Sequence, residues 1–262
     1  MATQEEPSQF RAASSPGLAP AAPQAAAYLD DGRVVEAGRG WAWITEGYGI
    51  FRPHAGIWIL LTVIFIALVV FLQVVPMIGG LVTLLLAPVL VGGLMTGCQA
   101  IERGAEIELA HLFAGFRRNT AQLMLLGLIA FGLMLAAMLP MILLVGAGAM
   151  AAIMSGDVAG AAMLGLGALL AGLITLALVI PVNMALWFAP ALVILQDQTA
   201  TRAVGQSFRG CLKNIGPFLI YGVILFLLAM VAAIPFGLGW LVLAPVAFGS
   251  VYAAYRDIFF KR

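Results

Sequence analysis

The chain has 262 residues, of which 63% are hydrophobic and only 10% are charged. Soluble domains carry roughly 25% charged residues, so this composition excludes a soluble globular protein and predicts an integral membrane protein. The net charge of +1 gives no indication of a nucleic-acid partner, and two cysteines, Cys98 and Cys211, are too few for a disulfide framework.

Residues 1–40 are rich in Ala, Pro, Ser and Gln and contain hardly any large apolar side chain. Such a segment buries too little surface to offset the entropy lost on ordering. We therefore expect a disordered cytoplasmic tail over 1–40, followed by a single transmembrane domain over 41–262. No apolar run precedes Phe51, so no cleavable signal peptide is expected and the first span serves as the insertion signal.

Residues 41–52 are predicted to form a short helix in the membrane interface. Trp41, Ile44, Tyr48 and Phe51 recur at helical spacing, and Trp and Tyr favour the headgroup level. Two later segments repeat this pattern before an apolar span: Leu109, Leu112, Phe113 and Phe116, and more weakly Val204, Phe208, Cys211 and Leu212. Each lead-in is expected to lie on the membrane surface.

Three copies of one pattern organise the rest of the chain: a Phe-Arg pair, an apolar span with a proline, and an Ala-Pro inside a second span. The copies begin at Phe51, Phe116 and Phe208. Their first prolines are Pro76, Pro140 and Pro235, and their Ala-Pro prolines are Pro88, Pro190 and Pro245. Self-similarity of this kind predicts three related helical hairpins, over 41–104, 105–198 and 199–262.

About 20 apolar residues cross the hydrocarbon core of a bilayer. On this basis we expect an all-α fold with six transmembrane helices near 55–75, 78–100, 121–146, 171–195, 215–234 and 238–256. The middle copy has an insertion near 147–170, which we assign to a small-residue excursion on the far side. A re-entrant pair or one long tilted helix are the alternatives for this stretch.

Six crossings place all 13 Lys and Arg residues on one side of the membrane. Asp157 is the only charge on the other side. The positive-inside rule then predicts that both termini are cytoplasmic.

Pro88, Pro190 and Pro245 each remove a helical hydrogen bond, so kinks are expected at these positions. Three equivalent kinks could shape a central cavity, although bending for packing is the favoured interpretation. Thr83 and Asn183 are candidates for a polar site inside the membrane. For Asn183 an interhelical hydrogen bond is favoured over a substrate contact.

The spans contain no Asp, Glu, Lys, Arg or His at mid-membrane depth, where proton relays and ion-coupled carriers usually carry such residues. No catalytic, metal-binding or cofactor motif is present in the sequence, so we expect no enzymatic activity and no cofactor. Six basic residues near the spans are candidate contacts for lipid headgroups: Arg52, Arg117, Arg118, Arg209, Lys213 and Arg256.

The lead-in AGRGWAW at 37–43, with NIGP at 214–217, LAPV at 243–246 and YAAYRD at 252–257, resembles a family of uncharacterised proteobacterial six-helix inner-membrane proteins. The similarity covers about residues 37–260, apart from the middle insertion. More distantly, the hairpins resemble the membrane domain attached to some glycerophosphodiester phosphodiesterases, a domain that lacks the catalytic barrel. The resemblance implies a bacterial inner membrane and the six-helix topology, and it implies no activity or site residues.

These observations lead to two hypotheses about function. The first is a non-enzymatic scaffold or accessory subunit that binds membrane lipids, another membrane protein or a second copy of itself. The alternative is a transporter or channel for an uncharged or apolar solute.

Overall fold

A computed structural model describes residues 27–74, 78–155 and 158–261 of the chain. Within these ranges the regular structure is helical, apart from one isolated β-bridge between Tyr28 and Phe260. The predicted all-α class is therefore confirmed. The α-helices are α1 Arg39–Phe51, α2 Ala55–Leu72, α3 Ile78–Glu102, α4 Leu109–Leu112, α5 Thr120–Ser155, α6 Val158–Trp187, α7 Ala189–Gln196, α8 Ala200–Lys213, α9 Ile215–Ala233 and α10 Trp240–Phe259.

Five helical segments of the described chain are long and apolar enough to cross a membrane. They are Arg39–Leu72, Gly79–Glu102, Thr120–Met154, Leu164–Gln196 and Ile215–Ala233. The sixth predicted span, near 238–256, is a helix (α10) but is not one of these five. Its second half carries Tyr252, Tyr255, Arg256 and Asp257, and most of these side chains pack inside the protein. Helix α10 is thus a central packing element, less apolar than its neighbours α2, α3 and α9.

The inner face of α1 packs against α9 and α10. Gly47 lies so close to α10 that an added Cβ would come within 2.5 Å of the Ser250 nitrogen. Trp43 is completely buried, whereas Trp41 and Tyr48 are exposed. The predicted single face of Trp41, Ile44, Tyr48 and Phe51 is therefore divided, because the helix buries the side that carries Gly40 and Gly47.

The middle hairpin differs from the prediction, because its insertion is helical wherever it is described. Helix α5 continues to Ser155, and α6 begins at Val158. The two helices pack along each other, and Gly148 allows a close approach to Leu164. Alanine is the best helix former and glycine permits close packing, so a small-residue sequence extends this pair instead of forming a separate excursion. Asp157 lies outside the described residues.

The three prolines predicted to kink equivalent helices occupy different environments. Pro88 and Pro245 lie inside the continuous helices α3 and α10. Pro190 lies in the first turn of α7, just after α6 has ended at Trp187, a position where a missing N–H is tolerated. The second copy of the sequence pattern therefore contains a helix break. Pro76 lies outside the described residues.

The predicted disorder of residues 1–40 is wrong for residues 27–38, which we call the N-terminal strap. The Leu29 amide donates to the Phe259 carbonyl at 2.8 Å, and the Arg33 amide donates to the Ile258 carbonyl at 2.8 Å. The last carbonyls of a helix lack intrahelical partners, so the end of α10 offers acceptors to this segment. Backbone pairing thus positions a strap with little apolar surface of its own. Residues 1–26 lie outside the described residues.

Candidate functional site

A buried carboxylate, Asp257, joins three segments at the end of α10. Its Oδ1 accepts a hydrogen bond of 2.8 Å from Arg33 Nη2 in the strap, and its Oδ2 accepts one of 3.0 Å from Trp43 Nε1 in α1. Arg39 Nε also donates to Oδ2. The Asp257 side chain is only 1% exposed, so the two arginines compensate its charge in place of water. We call Arg33, Arg39, Trp43 and Asp257 the polar hub.

The strap is also attached to α8. Two ion pairs between exposed side chains join them, Asp30 with Arg202 at 3.0 Å and Asp31 with Arg209 at 2.8 Å. Exposed pairs of this kind contribute only about 0–1 kcal/mol each. The buried Asn214 side chain adds two bonds, accepting from the Val35 amide at 2.8 Å and donating to the Arg33 carbonyl at 2.9 Å.

Two further polar contacts connect neighbouring elements at the same end of the helices. Glu102 at the end of α3 accepts a hydrogen bond from Tyr252 and forms an ion pair with Arg256 in α10. In the turn after α7, Asp197 is contacted by Arg118 at 2.8 Å and by Asn119 at 2.7 Å. The Arg118 hydrogen bond, helped by Asn119, holds the pKa of the Asp197 carboxyl below its usual value.

The six basic residues predicted to contact lipid headgroups fall into two groups. Arg118, Arg209 and Arg256 form ion pairs within the protein. Lys213 Nζ donates to the strap carbonyls of Asp31 and Gly32, at 3.0 and 3.3 Å. Among the described residues, Arg52 and Arg117 have neither an ion pair nor a side-chain hydrogen bond, and both are exposed. These two arginines are the ones left free for an external anion.

Burial also changes the acidity of two side chains near α8. Desolvation raises the pKa of the Tyr28 hydroxyl to about 12, and the nearby Asp30 charge acts in the same direction. Desolvation raises the pKa of the Cys211 thiol to about 12. Both groups are therefore neutral at physiological pH. Cys211 is then a poor nucleophile and a poor metal ligand.

An apolar groove of about 520 Å³ lies between α6 and α9, and Cys211 of α8 also lines it. This volume is within the roughly 300–1,000 Å³ that is typical of ligand sites. No charged residue lines the groove. Its lining residues are Ile180, Asn183, Met184, Trp187, Cys211, Ile215, Phe218, Leu219, Tyr221, Gly222 and Leu225. Because both flanking helices belong to candidate membrane spans, the groove is placed to open towards lipid.

Aromatic side chains form the wall of this groove nearest to the polar hub. Trp187 packs edge-on against Phe218 and Tyr221, with ring centroids 6.1 and 6.2 Å apart. Trp43 of the hub lies behind them, 6.0 Å from the Tyr221 ring. The Tyr221 hydroxyl is hydrogen-bonded to Ser250 Oγ at 2.7 Å. The groove wall is thus held in place by contacts that reach α1 and α10.

A second cavity, of about 310 Å³, lies among α3, α5, α6, α7 and α10. Pro88 and Pro190 both line it, together with Asn183 and Trp187. Pro245 is buried and is not part of this lining. Two of the three predicted kink positions therefore meet at one central cavity. Asn183 and Trp187 also line the groove, so they lie between the two spaces.

The two polar residues predicted inside the membrane are not brought into one site. Asn183 Nδ2 donates to the Val179 carbonyl of its own helix at 2.9 Å, and the predicted interhelical hydrogen bond is absent among the described residues. The Thr83 hydroxyl is buried without a hydrogen-bond partner and lines neither space. Of these two residues, only Asn183 lines the groove.

A second apolar groove of about 480 Å³ lies between α1 and the α9–α10 hairpin, next to Trp41 and Tyr48. No group of three or more His, Cys, Asp or Glu residues in the described ranges is arranged to hold a metal ion.

Comparison with known proteins gives one informative relative. The chain is 30% identical over 254 residues to a probable inner membrane protein of Burkholderia thailandensis, covering 86% of this chain and 92% of that protein. The chain belongs to the same family. It is accordingly a multi-pass protein of the bacterial inner membrane, as predicted. No family model matches the sequence, and no solved structure matches it. The comparisons give no support to the more distant likeness to glycerophosphodiester phosphodiesterases.

Sequence reasoning for this family member missed the polar hub and the aromatic wall. Ionisable residues at mid-membrane depth are the usual sign of a functional site in a membrane helix, whereas Asp257 lies near the end of α10. One signal was present: Asp257 is the only acidic residue in α10, and only Arg256 separates it from the apolar and aromatic run that ends at Tyr255. Trp187 had no comparable signal, because a tryptophan in an apolar span is unexceptional.

Proposed function

We propose that this protein is a non-enzymatic lipid-binding module of the inner membrane, and that its site is the groove between α6 and α9. The groove itself carries the proposal: it is apolar, it has the volume of a ligand site, and its two walls are candidate membrane spans. A lipid chain reaches such a space laterally from the bilayer, without crossing a polar barrier. Burial of its apolar surface contributes about 25 cal/mol per Å².

Two features of the groove favour an acyl chain bound at one site over non-specific contact with bulk lipid. Its aromatic wall is fixed by packing, so the shape of the groove exists before a ligand enters. In addition, Trp187 is 36% exposed and so remains open to contact from the groove side. A preformed pocket reduces the ordering cost of binding.

The test uses Trp187 as a reporter for phosphatidylcholine with brominated acyl chains, which quench tryptophan on contact. The Trp187 signal is the difference between the wild type and Trp187→Phe in lipid nanodiscs. A bound chain gives quenching that saturates at a low fraction of brominated lipid, whereas bulk contact gives quenching that rises steadily with that fraction.

Glycines that face open space provide a matched pair of variants. An added Cβ at Gly222 meets no atom within 4 Å, and Gly222 lines the groove, so Gly222→Leu is designed to reduce the space for a ligand. Gly172 in α6 has equally open space and does not line the groove. We expect Gly222→Leu to abolish the saturable quenching and Gly172→Leu to retain it. Loss in both variants, or no saturable phase in the wild type, would remove the proposal.

The same proposal includes an orientation, in which the polar end with the hub and both termini faces the cytoplasm and α10 forms a sixth crossing. The distribution of all 13 cations supports it. Arg52 and Arg117 would then contact anionic headgroups, each contributing about 1 kcal/mol near the surface. Labelling of Arg103→Cys in intact cells and in inverted vesicles tests the orientation, since reaction from outside the cell would contradict it.

A transporter or channel for an uncharged solute is the second candidate, favoured by the central cavity at Pro88, Pro190 and Asn183. Its test is the flux of glycerol into proteoliposomes. Flux that Asn183→Leu reduces and Gly222→Leu leaves unchanged would favour this role over lipid binding. The distant likeness to the phosphodiesterase membrane domain adds no activity to either candidate.

A further inference from the structure

The groove and the central cavity meet at one amide group. Asn183 and Trp187 line both spaces. These two side chains lie between the groove and the central cavity, so a molecule in the groove can contact the Asn183 amide. A ligand with an acyl chain and a polar head would therefore place its head at Asn183.

The Asn183 amide has unused hydrogen-bonding capacity. One of its N–H groups donates to the Val179 carbonyl at 2.9 Å, and its carbonyl oxygen has no partner among the described residues. A side-chain amide offers two donor hydrogens and an acceptor oxygen, so one donor and the acceptor remain for a ligand. A hydroxyl or carbonyl group on the ligand can use either of them.

The surroundings of Asn183 exclude a charged head beside the amide, so a phospholipid such as phosphatidylcholine can place only an acyl chain in the groove and must keep its phosphate outside. No Asp, Glu, Lys, Arg or His lines the groove or the central cavity. A phosphate placed there would lose its water without gaining an opposite charge, which is strongly unfavourable. In the described part of the chain, six arginines are paired with carboxylates, whereas Arg52 and Arg117 are exposed and have no ion pair; the six are Arg33, Arg39, Arg118, Arg202, Arg209 and Arg256.

We infer that the ligand of this site is an uncharged lipid whose head carries a hydroxyl or carbonyl group, of the diacylglycerol class. Its head is hydrogen-bonded to Asn183 at the entrance of the central cavity, and one acyl chain lies in the groove against Trp187. This inference rests on the proposed lipid-binding function and specifies the ligand of the same groove.

The experiment compares two competitors with identical chains, dioleoylglycerol and dioleoylphosphatidylglycerol. Each is added to wild-type protein in nanodiscs of brominated phosphatidylcholine, and the recovery of the Trp187 signal reports displacement from the groove. We expect dioleoylglycerol to displace the brominated lipid at a lower concentration than dioleoylphosphatidylglycerol. The difference should be at least about fivefold, which corresponds to one hydrogen bond inside a membrane.

The variants separate the role of the amide from that of the groove. Asn183→Leu has a similar shape and no hydrogen-bonding group, so it should lose the preference for dioleoylglycerol and keep the saturable quenching. Thr83→Val removes a buried hydroxyl that lines neither space, and it should keep both properties.

The outcomes are distinct. Equal displacement by both competitors, a preference for dioleoylphosphatidylglycerol, or an unchanged preference in Asn183→Leu would overturn the inference and leave the lipid-binding function intact. Absence of displacement by either competitor, together with no effect of Gly222→Leu, would overturn the proposed function itself.

Discussion

The indole nitrogen of Trp43 donates a hydrogen bond of 3.0 Å to the carboxylate of Asp257, across 214 positions of the sequence. The same carboxylate is bonded to Arg33 and Arg39. Breaking a buried ion pair by removing one partner typically costs about 3–5 kcal/mol. Both arginines are partly exposed and can be rehydrated, so the lower end of this range applies.

We therefore expect Asp257→Ala to lower the free energy of unfolding in detergent by about 3 kcal/mol. The control is Asp31→Ala, which removes an exposed ion pair and should cost less than about 1 kcal/mol. Reversible unfolding in mixed SDS micelles measures both values. Equal losses of unfolding free energy in the two variants would show that the polar hub does not hold the three segments together.

The packing of α1 on α10 can be tested with two glycines of the same helix. An added Cβ at Gly47 would lie 2.5 Å from the Ser250 nitrogen and the Val246 carbonyl oxygen, and backbone cannot move aside as a flexible side chain can. We expect Gly47→Ala to destabilise the protein by about 1–3 kcal/mol. Gly49 has nothing within 4 Å, so Gly49→Ala should stabilise by about 0.5–1 kcal/mol. A Gly47→Ala protein as stable as the wild type would contradict this packing.

The strap can be loosened by one substitution outside it. Asn214→Ala leaves the Val35 amide and the Arg33 carbonyl without their side-chain partner. Because an unpaired polar group costs about 1–3 kcal/mol, hydrogen exchange of residues 27–38 should accelerate roughly tenfold. Asp31→Asn, which removes only an exposed pair, should change the exchange little. Unchanged exchange in Asn214→Ala would mean that backbone pairing with α10 holds the strap alone.

The lowered pKa of Asp197, in the turn between α7 and α8, predicts that the stability of the fold depends on pH. Since Arg118 lowers its pKa in the folded protein, the carboxylate stabilises the fold above its ordinary pKa of about 3.9. That contribution is lost as the pH falls through the lowered, folded-state pKa. The difference in free energy of unfolding between the wild type and Asp197→Asn should accordingly fall towards zero at acid pH.

A carbon NMR titration of the Asp197 carboxyl group measures this pKa directly. Arg118→Gln should raise it towards the ordinary value. Arg117→Gln is the matched control, since the neighbouring Arg117 has no ion pair among the described residues, and it should leave the titration unchanged. A shift of the same size in both variants would assign the effect to general charge instead of the Arg118 contact.

The sequence predicted those parts of the fold that depend on long apolar runs. The helices that became α2, α3, α5 and α9 were all anticipated, because about 20 apolar residues leave few alternatives in a bilayer. The 147–170 stretch was misassigned because repeat logic required a short hairpin, whereas its glycine and alanine residues allow two long helices to pack together.

The strap and the groove could not be predicted from the sequence, because each is formed by segments that are far apart in the chain. Residues 27–38 have too little apolar surface to predict order, and their position follows from free carbonyls at the far end of the chain. The groove is lined by residues of α6, α8 and α9, and no spacing within one segment of the sequence encodes their relative placement. Asn183 was identified from sequence, but its neighbour Trp187 was not.

The length of the middle hairpin has a consequence for the surrounding bilayer. At 1.5 Å per residue, the 36 residues of α5 extend about 54 Å and the 30 residues of α6 about 45 Å, against a hydrocarbon thickness of about 30 Å. Even at a tilt of 40°, α5 would cover about 41 Å of depth. Pro140 lies inside α5, and a kink there would absorb part of this hydrophobic mismatch, while local thickening of the membrane would absorb the rest. The protein should therefore be more stable in long-chain than in short-chain lipids and should gather in the thicker regions of its membrane.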